Sequence, residues 1–323
     1  MSKRSPVADT SDKIGVIDLG SNTVLLLVLD VSGQAVIEEA RITRLGQGVF
    51  MRGHLHPDAI ERTREAVTAL SERARRGGAS HVLAVGTEAL RRAEDGAALL
   101  AAFESEGRVD SARLLTGDEE ARYAIAAHRH RAGAGRAVAG APLVVVDVGG
   151  GSTEVSIAEA GGALRASSLP LGSVRLTERC ILEDPVTTAE VDALREAVRA
   201  ETRGVEPLPR ARVVAVAGTA TTLAALELSL DPYDADRVEG VTLSCPTLEA
   251  WIRRLAGLPL ERRRALAGLE PARADVIVAG AVILAEVLAR LAAERFEVSG
   301  RGVRWGVALE WLEARTVAPD RAV

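Results

Sequence analysis

The 323-residue sequence carries a formal net charge of −5 and is 47% hydrophobic but only 2% aromatic. This excludes a disordered chain and one that wraps nucleic acid through its overall field. It predicts Ala/Val/Leu cores and a length comfortable for two domains. Cys180 and Cys245 have no metal-ligand or redox spacing and are expected to be unlinked thiols. The polar start, MSKRSPVADTSDK, lacks the apolar stretch of a signal peptide. The longest apolar run, Val276 to Ala285, is far short of the roughly 20 residues a membrane span needs. A cytoplasmic protein with no membrane or nucleic-acid partner is expected.

In chain order, the first strong signal is a β-rich run, Lys13–Asp18, then the turn Leu-Gly-Ser-Asn-Thr and a second apolar run, Val24–Leu29. Pro57 opens an amphipathic helix that runs to about Arg76 and stops at Gly77–Gly78. Val-Gly-Thr-Glu-Ala-Leu then leads from a strand end into Arg91 and Arg92, and a helix starts after Thr116. Residues 132–141, AGAGRAVAGA, have a linker composition. The boundary is therefore expected just before them, with an N-terminal lobe over residues 1–128 and a C-terminal lobe over 129–302. Leu143–Asp147, Val-Gly-Gly-Gly-Ser-Thr and Val155–Ala158 then repeat the opening pattern of strand, Asp, apolar residue, Gly-rich hydroxyl turn and strand. This reads as an internal duplication, two related lobes each offering a phosphate loop to a shared cleft. In the second lobe follow a helix after Thr187, a strand Val213–Ala217 with a loop Gly-Thr-Ala-Thr-Thr, and a long helix from about Arg273 to Ala293. The run Arg262–Arg264 is expected to be a solvated helix face. A last helix, about 303–316, is expected to pack back on the N-terminal lobe through Trp305, Leu309 and Leu312.

Backbone N–H groups in a Gly-rich turn can converge on an anion because no Cβ blocks its approach. Gly149, Gly150, Gly151 and Ser152 form such a turn between Asp147 and Glu154, and Ser21 and Asn22 occupy the matching turn after Asp18. Gly218 and Thr219 in the third turn are further candidates for phosphate contact. Asp147, Glu154 and Asp18 supply the oxygen ligands that Mg²⁺ takes together with phosphate oxygens. Neither turn is a dinucleotide fingerprint, since a strand follows each, and neither is a Walker loop, since the only lysines are Lys3 and Lys13. Thr116 and Glu119 have capping-box spacing, which leaves Glu120 in the first helical turn, where the helix dipole favours an ionised carboxylate. Arg91, Arg92 and Arg44 are the basic candidates for gripping phosphate. His54, His56, His81, His128 and His130 show no metal-binding pattern.

With these residues in place, the sequence resembles the exopolyphosphatase/guanosine pentaphosphate phosphohydrolase (Ppx/GppA) family. The matching segments are IDLGSNT at 17–23, VGTEALR at 85–91, TGDEEA at 116–121 and VVDVGGGSTE at 145–154. They continue with LPLGSVRLTER at 169–179, AGTATTLAAL at 217–226, RADVIVAGA at 273–281 and VSGRGVRWG at 298–306. The resemblance implies an α/β fold of two ribonuclease-H-like lobes, within the acetate and sugar kinase/heat-shock protein ATPase/actin superfamily, with an interdomain active-site cleft. It also implies that Glu120 activates water, that Asp147 and Glu154 serve Mg²⁺ (or Mn²⁺) and catalysis, and that Gly149–Ser152 and Ser21–Asn22 hold phosphate. Arg91 would contact phosphate. The expected substrates are polyphosphate or guanosine penta/tetraphosphate, and the expected assembly is a homodimer. Ending at Val323, the sequence is expected to be a short form without the additional C-terminal helical region of longer members. An ATP-dependent small-molecule kinase on the same fold and a non-catalytic guanosine alarmone sensor are the competing expectations.

Overall fold

The computed structural model describes residues 13–129, 141–159 and 161–317. The first half contains β1 (Lys13–Leu19), β2 (Thr23–Leu29), β3 (Ala35–Ile42), α1 (Val49–Arg52), α2 (Pro57–Arg76) and β4 (Ala79–Gly86). It continues with α3 (Glu88–Arg92), α4 (Gly96–Ser105), β5 (Ser111–Leu114) and α5 (Gly117–Arg129). The second half contains β6 (Leu143–Val148), β7 (Thr153–Ala158), β8 (Leu164–Leu169), α6 (Ser173–Cys180), α7 (Thr188–Glu201), β9 (Arg212–Val216) and α8 (Ala217–Glu227). Then come α9 (Ala235–Val238), β10 (Thr242–Ser244), α10 (Cys245–Ala256), α11 (Leu260–Arg264), α12 (Ile277–Arg290), β11 (Arg295–Val298) and α13 (Val303–Val317).

The strands form two sheets, ordered β3-β2-β1-β4-β5 and β10-β11-β9-β6-β7-β8. In the first, β1 pairs antiparallel with β2 and parallel with β4, β2 pairs antiparallel with β3, and β4 parallel with β5. In the second, β6 stands in the same relation to β7 and β9, β7 to β8, and β9 to β11, while β10 adds an antiparallel edge. The duplication seen in the sequence is thus a duplication of topology, and it defines two ribonuclease-H-like lobes of the acetate and sugar kinase/heat-shock protein ATPase/actin superfamily. The central strands are largely buried because helices cover both faces, β1 and β7 almost throughout, with the acids Asp18 and Glu154 among their residues.

Two helices belong to both halves. Ala124 and Ile125 of α5 pack with Val145, Val214 and Val216 of the second sheet. Tyr123 and Ala127 of the same helix join Ile14, Val16, Leu27 and Leu29 of the first, together with Trp305 and Ala308 of α13. A Cβ on Gly306 would run into the backbone of Tyr123, so the two helices cross at a contact only glycine allows.

His128, in the last turn of α5, is buried and its Nε2 lies 3.0 Å from the Arg301 carbonyl. Burial pulls its pKa down to about 4 from 6.5. Below pH 6.5 the unfolded chain therefore binds a proton that the fold refuses, and stability falls as pH drops through this window. His128→Gln is expected to gain about 2 kcal/mol on the wild type between pH 7.5 and pH 5, read from urea midpoints at the two pH values. A constant difference between the two proteins would rule out a buried neutral imidazole.

Three sequence expectations need correction. The Gly-Thr-Ala-Thr-Thr segment is no loop: β9 ends at Val216 and α8 begins at Ala217, whose φ of 65° makes the strand-to-helix turn within one residue. The long helix is α12, which starts at Ile277, because Pro271–Arg273 form a separate 3₁₀ turn. Within Arg262–Arg264, Arg263 is buried and donates to Asp184 at 3.0 Å. The linker-like stretch lies outside the described residues except for Ala141. Among the described residues no helix is long and apolar enough to cross a membrane.

Candidate active site

The two hairpin turns are built alike. Gly20 N donates to Thr23 O at 3.1 Å and Gly149 N to Ser152 O at 3.0 Å. The carbonyls of the second turn face α6: Ser173 N donates to Gly149 O at 2.9 Å, and Val174 and Arg175 N donate to Gly150 O at 3.0 and 3.1 Å. The free donors of a helix N-terminus are thus spent on the turn from behind. The amides of Gly150 and Gly151 donate to no backbone carbonyl among the described residues. The turns meet: a Cβ on Gly150 would stand 3.0 Å from Ser21 Cβ and 3.2 Å from Asn22 N. Asn22 is buried there with neither side-chain polar atom hydrogen-bonded.

Polar contacts bind the halves beside this junction. Arg44 pairs with Asp275 at 2.8 Å and donates to the Ala272 carbonyl at 2.9 Å. Arg273 donates to Thr23 Oγ1 at 3.1 Å, and Gly48 N to Glu178 Oε1 at 3.1 Å. The guanidinium of Arg273 lies over Gly218, leaving no room for a Cβ. Thr219 Oγ1 lies 3.4 Å from Val148 O, so the first turn of α8 is tied to the base of the glycine turn.

Four acids crowd the junction. Asp147 and Glu154 lie directly opposite each other on β6 and β7, an arrangement that disfavours two like charges. Burial, then the charge of Asp18, pushes Asp147 up to about 7; burial, then Asp147, pushes Glu154 up to about 7. Burial raises Asp18 to about 6 against the pull of Arg304, which α13 brings into the site and Glu38 holds at 2.6 Å. Burial, then the charge of Glu154, lifts Glu120 to about 9 against the pull of Arg91. Glu120 is buried in the first turn of α5, whose capping box is made as expected: Glu119 N donates to Thr116 Oγ1 at 3.2 Å and Thr116 N to Glu119 at 2.9 Å. Arg91 donates to Glu120 and, at 2.6 Å, to the Leu115 carbonyl just ahead of that helix.

The structure thus brings Ser21, Asn22, Asp18, Asp147, Gly149–Ser152, Glu154, Glu120 and Arg91 to one place. Ser168 Oγ, 2.9 Å from Glu154 Oε1, was not legible in sequence because its partner comes from the β7–β8 register. Arg304 was missed although α13 packs on the first half as expected, because nothing in the sequence shows that this arginine faces Asp18. A cavity of about 260 Å³ lined by Glu88, Arg91, Arg92, Gly117, Ser168, Leu169 and Pro170 opens beside Glu120.

A two-lobed α/β fold with paired glycine turns over a nest of buried carboxylates defines a phosphate-handling protein of the actin-like superfamily. The model of the Ppx/GppA phosphatase family matches residues 27–315, and the chain belongs to that family. It is 38% identical to exopolyphosphatase 2 of Mycobacterium tuberculosis, over 92% of this chain and 98% of the relative. It is 28% identical to a guanosine-5'-triphosphate,3'-diphosphate pyrophosphatase of Photobacterium profundum, over 96% of this chain and 61% of that one. The crystal structure of the Aquifex aeolicus family member superposes with a TM-score of 0.76 at 33% identity, covering 94% and 98% of the two chains.

Proposed function

We propose that the protein releases the terminal phosphate of inorganic polyphosphate by in-line attack of water, with guanosine pentaphosphate as the competing substrate. The observation that carries this reading is the close approach of Gly150 to Ser21 and Asn22 beside buried Glu120 and its half-buried partner Arg91. The amides of the two turns and Asn22 bind and orient the terminal phosphates. Glu120 takes the proton of the attacking water, and Arg91 meets the charge that develops on the phosphoryl oxygens. Such reactions need positioning and charge neutralisation more than covalent chemistry.

A divalent cation fits the residues present. Four acids with raised pKa values, three of them buried and Asp147 half-buried, are a donor set short of positive charge, and Asp18 Oδ1 is buried without a hydrogen-bond partner. Among the described residues no three His, Cys, Asp or Glu side chains form a ready metal cage. Mg²⁺ does not require one, since it usually takes one or two carboxylates plus waters and substrate phosphates. Asp147 and Glu154, with Asp18 beside them, would hold Mg²⁺ or Mn²⁺. When bound, the ion would neutralise the phosphate charge.

The test is phosphate release with Mg²⁺ from polyphosphates of several lengths beside guanosine pentaphosphate. Release is expected from polyphosphate, abolished by EDTA and restored by excess Mg²⁺. Failure to release phosphate from either substrate, with ATP-dependent phosphorylation of an acceptor instead, would replace the hydrolase by a kinase.

A further inference from the structure

Glu88 has no part in the scheme above, yet it is buried at the first position of α3, facing the cavity beside Glu120. Its two oxygens are divided between the arginines one helical turn on. Arg91 Nη2 donates to Oε2 at 2.6 Å and Arg92 Nε to Oε1 at 2.8 Å. The spacings of three and four residues set both on one helix face. Arg91 is gripped from the other side by Glu120 and the Leu115 carbonyl, both through Nη1. A guanidinium has five N–H donors, so Nε–H and one Nη2–H remain for a phosphoryl oxygen.

We propose that Glu88 is a positioning residue for phosphoryl transfer: it fixes the plane of the Arg91 guanidinium while Arg92 locks Glu88 in turn. The inference rests on the hydrolase reading. It has a distinctive kinetic consequence, because Glu88 also places a carboxylate beside a polyanionic substrate. Removing it frees Arg91 but relieves repulsion, so kcat should fall while KM does not rise. Misplacing a group by about 1 Å can cost about 10²-fold. Glu88→Ala is therefore expected to lower kcat by roughly ten- to a hundredfold with KM unchanged or reduced.

The experiment measures kcat and KM for phosphate release from polyphosphate with Mg²⁺, for wild type, Glu88→Ala, Glu88→Gln, Arg91→Ala and the double variant Glu88→Ala/Arg91→Ala. Acting through Arg91, the loss of Glu88 should have almost no further effect in the Arg91→Ala background. Glu88→Gln, which keeps the shape and one acceptor, should recover part of kcat. Equal losses in both backgrounds, or a raised KM at full kcat, would overturn the inference. If Glu88→Ala does not fold, Glu88→Gln carries the same comparison. A wild type active beside an equally active Glu88→Ala removes this role alone, whereas a wild type that releases no phosphate removes the hydrolase reading and this role with it.

Discussion

Glu120→Gln is expected to release phosphate about 10²- to 10⁴-fold more slowly than the wild type, the usual worth of a positioned general base, while still saturating with substrate. The reason lies in the charge around it. Burial, Glu154 and Asp18 all make ionised Glu120 unfavourable, and Arg91 opposes them. A carboxylate in such a place is a strong proton acceptor once neighbouring positive charge holds it ionised. Glutamine keeps the size, and its oxygen still accepts from Arg91, but it takes no proton. Steady-state kinetics on the Mg²⁺-loaded protein check this, with circular dichroism as the folding control. Turnover within a few-fold of wild type would take Glu120 out of the reaction.

Gly172→Ala is expected to damage fold and activity together. Gly172 stands just before α6 with φ −131°, a conformation any residue adopts, so the constraint is space rather than torsion. A Cβ there would overlap the carbonyl of Gly150 and the carbonyl carbon of Gly151. Both obstacles are backbone, and that backbone is the phosphate turn itself, so no side chain can swing aside. Overpacking of this kind typically costs about 1–3 kcal/mol. The shift needed to relieve it moves the turn relative to Ser21 and Asn22. A lowered urea midpoint with loss of most phosphate release is the expected result. Gly204→Ala is the control, since nothing lies within 4 Å of a Cβ there. Unchanged activity in Gly172→Ala would mean that the seat of the turn is not demanding.

How much of this was legible in the sequence follows from how local each feature is. The paired glycine turns could be read because strand, acid and turn are adjacent in the chain, and α2 was found with its bounds because Pro57 and Gly77 mark both ends. The capping box exposed Glu120 for the same reason. What escaped depends on register or return of the chain. Ser168 reaches Glu154 across a β-ladder, Arg304 arrives on the last helix, and Arg263 finds Asp184 from far along the chain. Glu88 was a different omission, since its spacing to Arg91 and Arg92 stood in the quoted motif. The third turn was misread because small hydroxyl residues suit loops and helix starts alike.

The crossing of α5 and α13 bears on how the molecule is made. Trp305, Val307 and Ala308 close the apolar layer over Ile14, Val16, Leu27 and Leu29, and these are among the last and the first described residues of the chain. The sheet built first therefore stays only partly covered on that side, by α5, until α13 is made, although domains generally form as their residues emerge. Its lid leaves the ribosome after every strand of both sheets. Arg304 rides on that lid, so the acids of the cleft gain this counter-charge only after both sheets have been made.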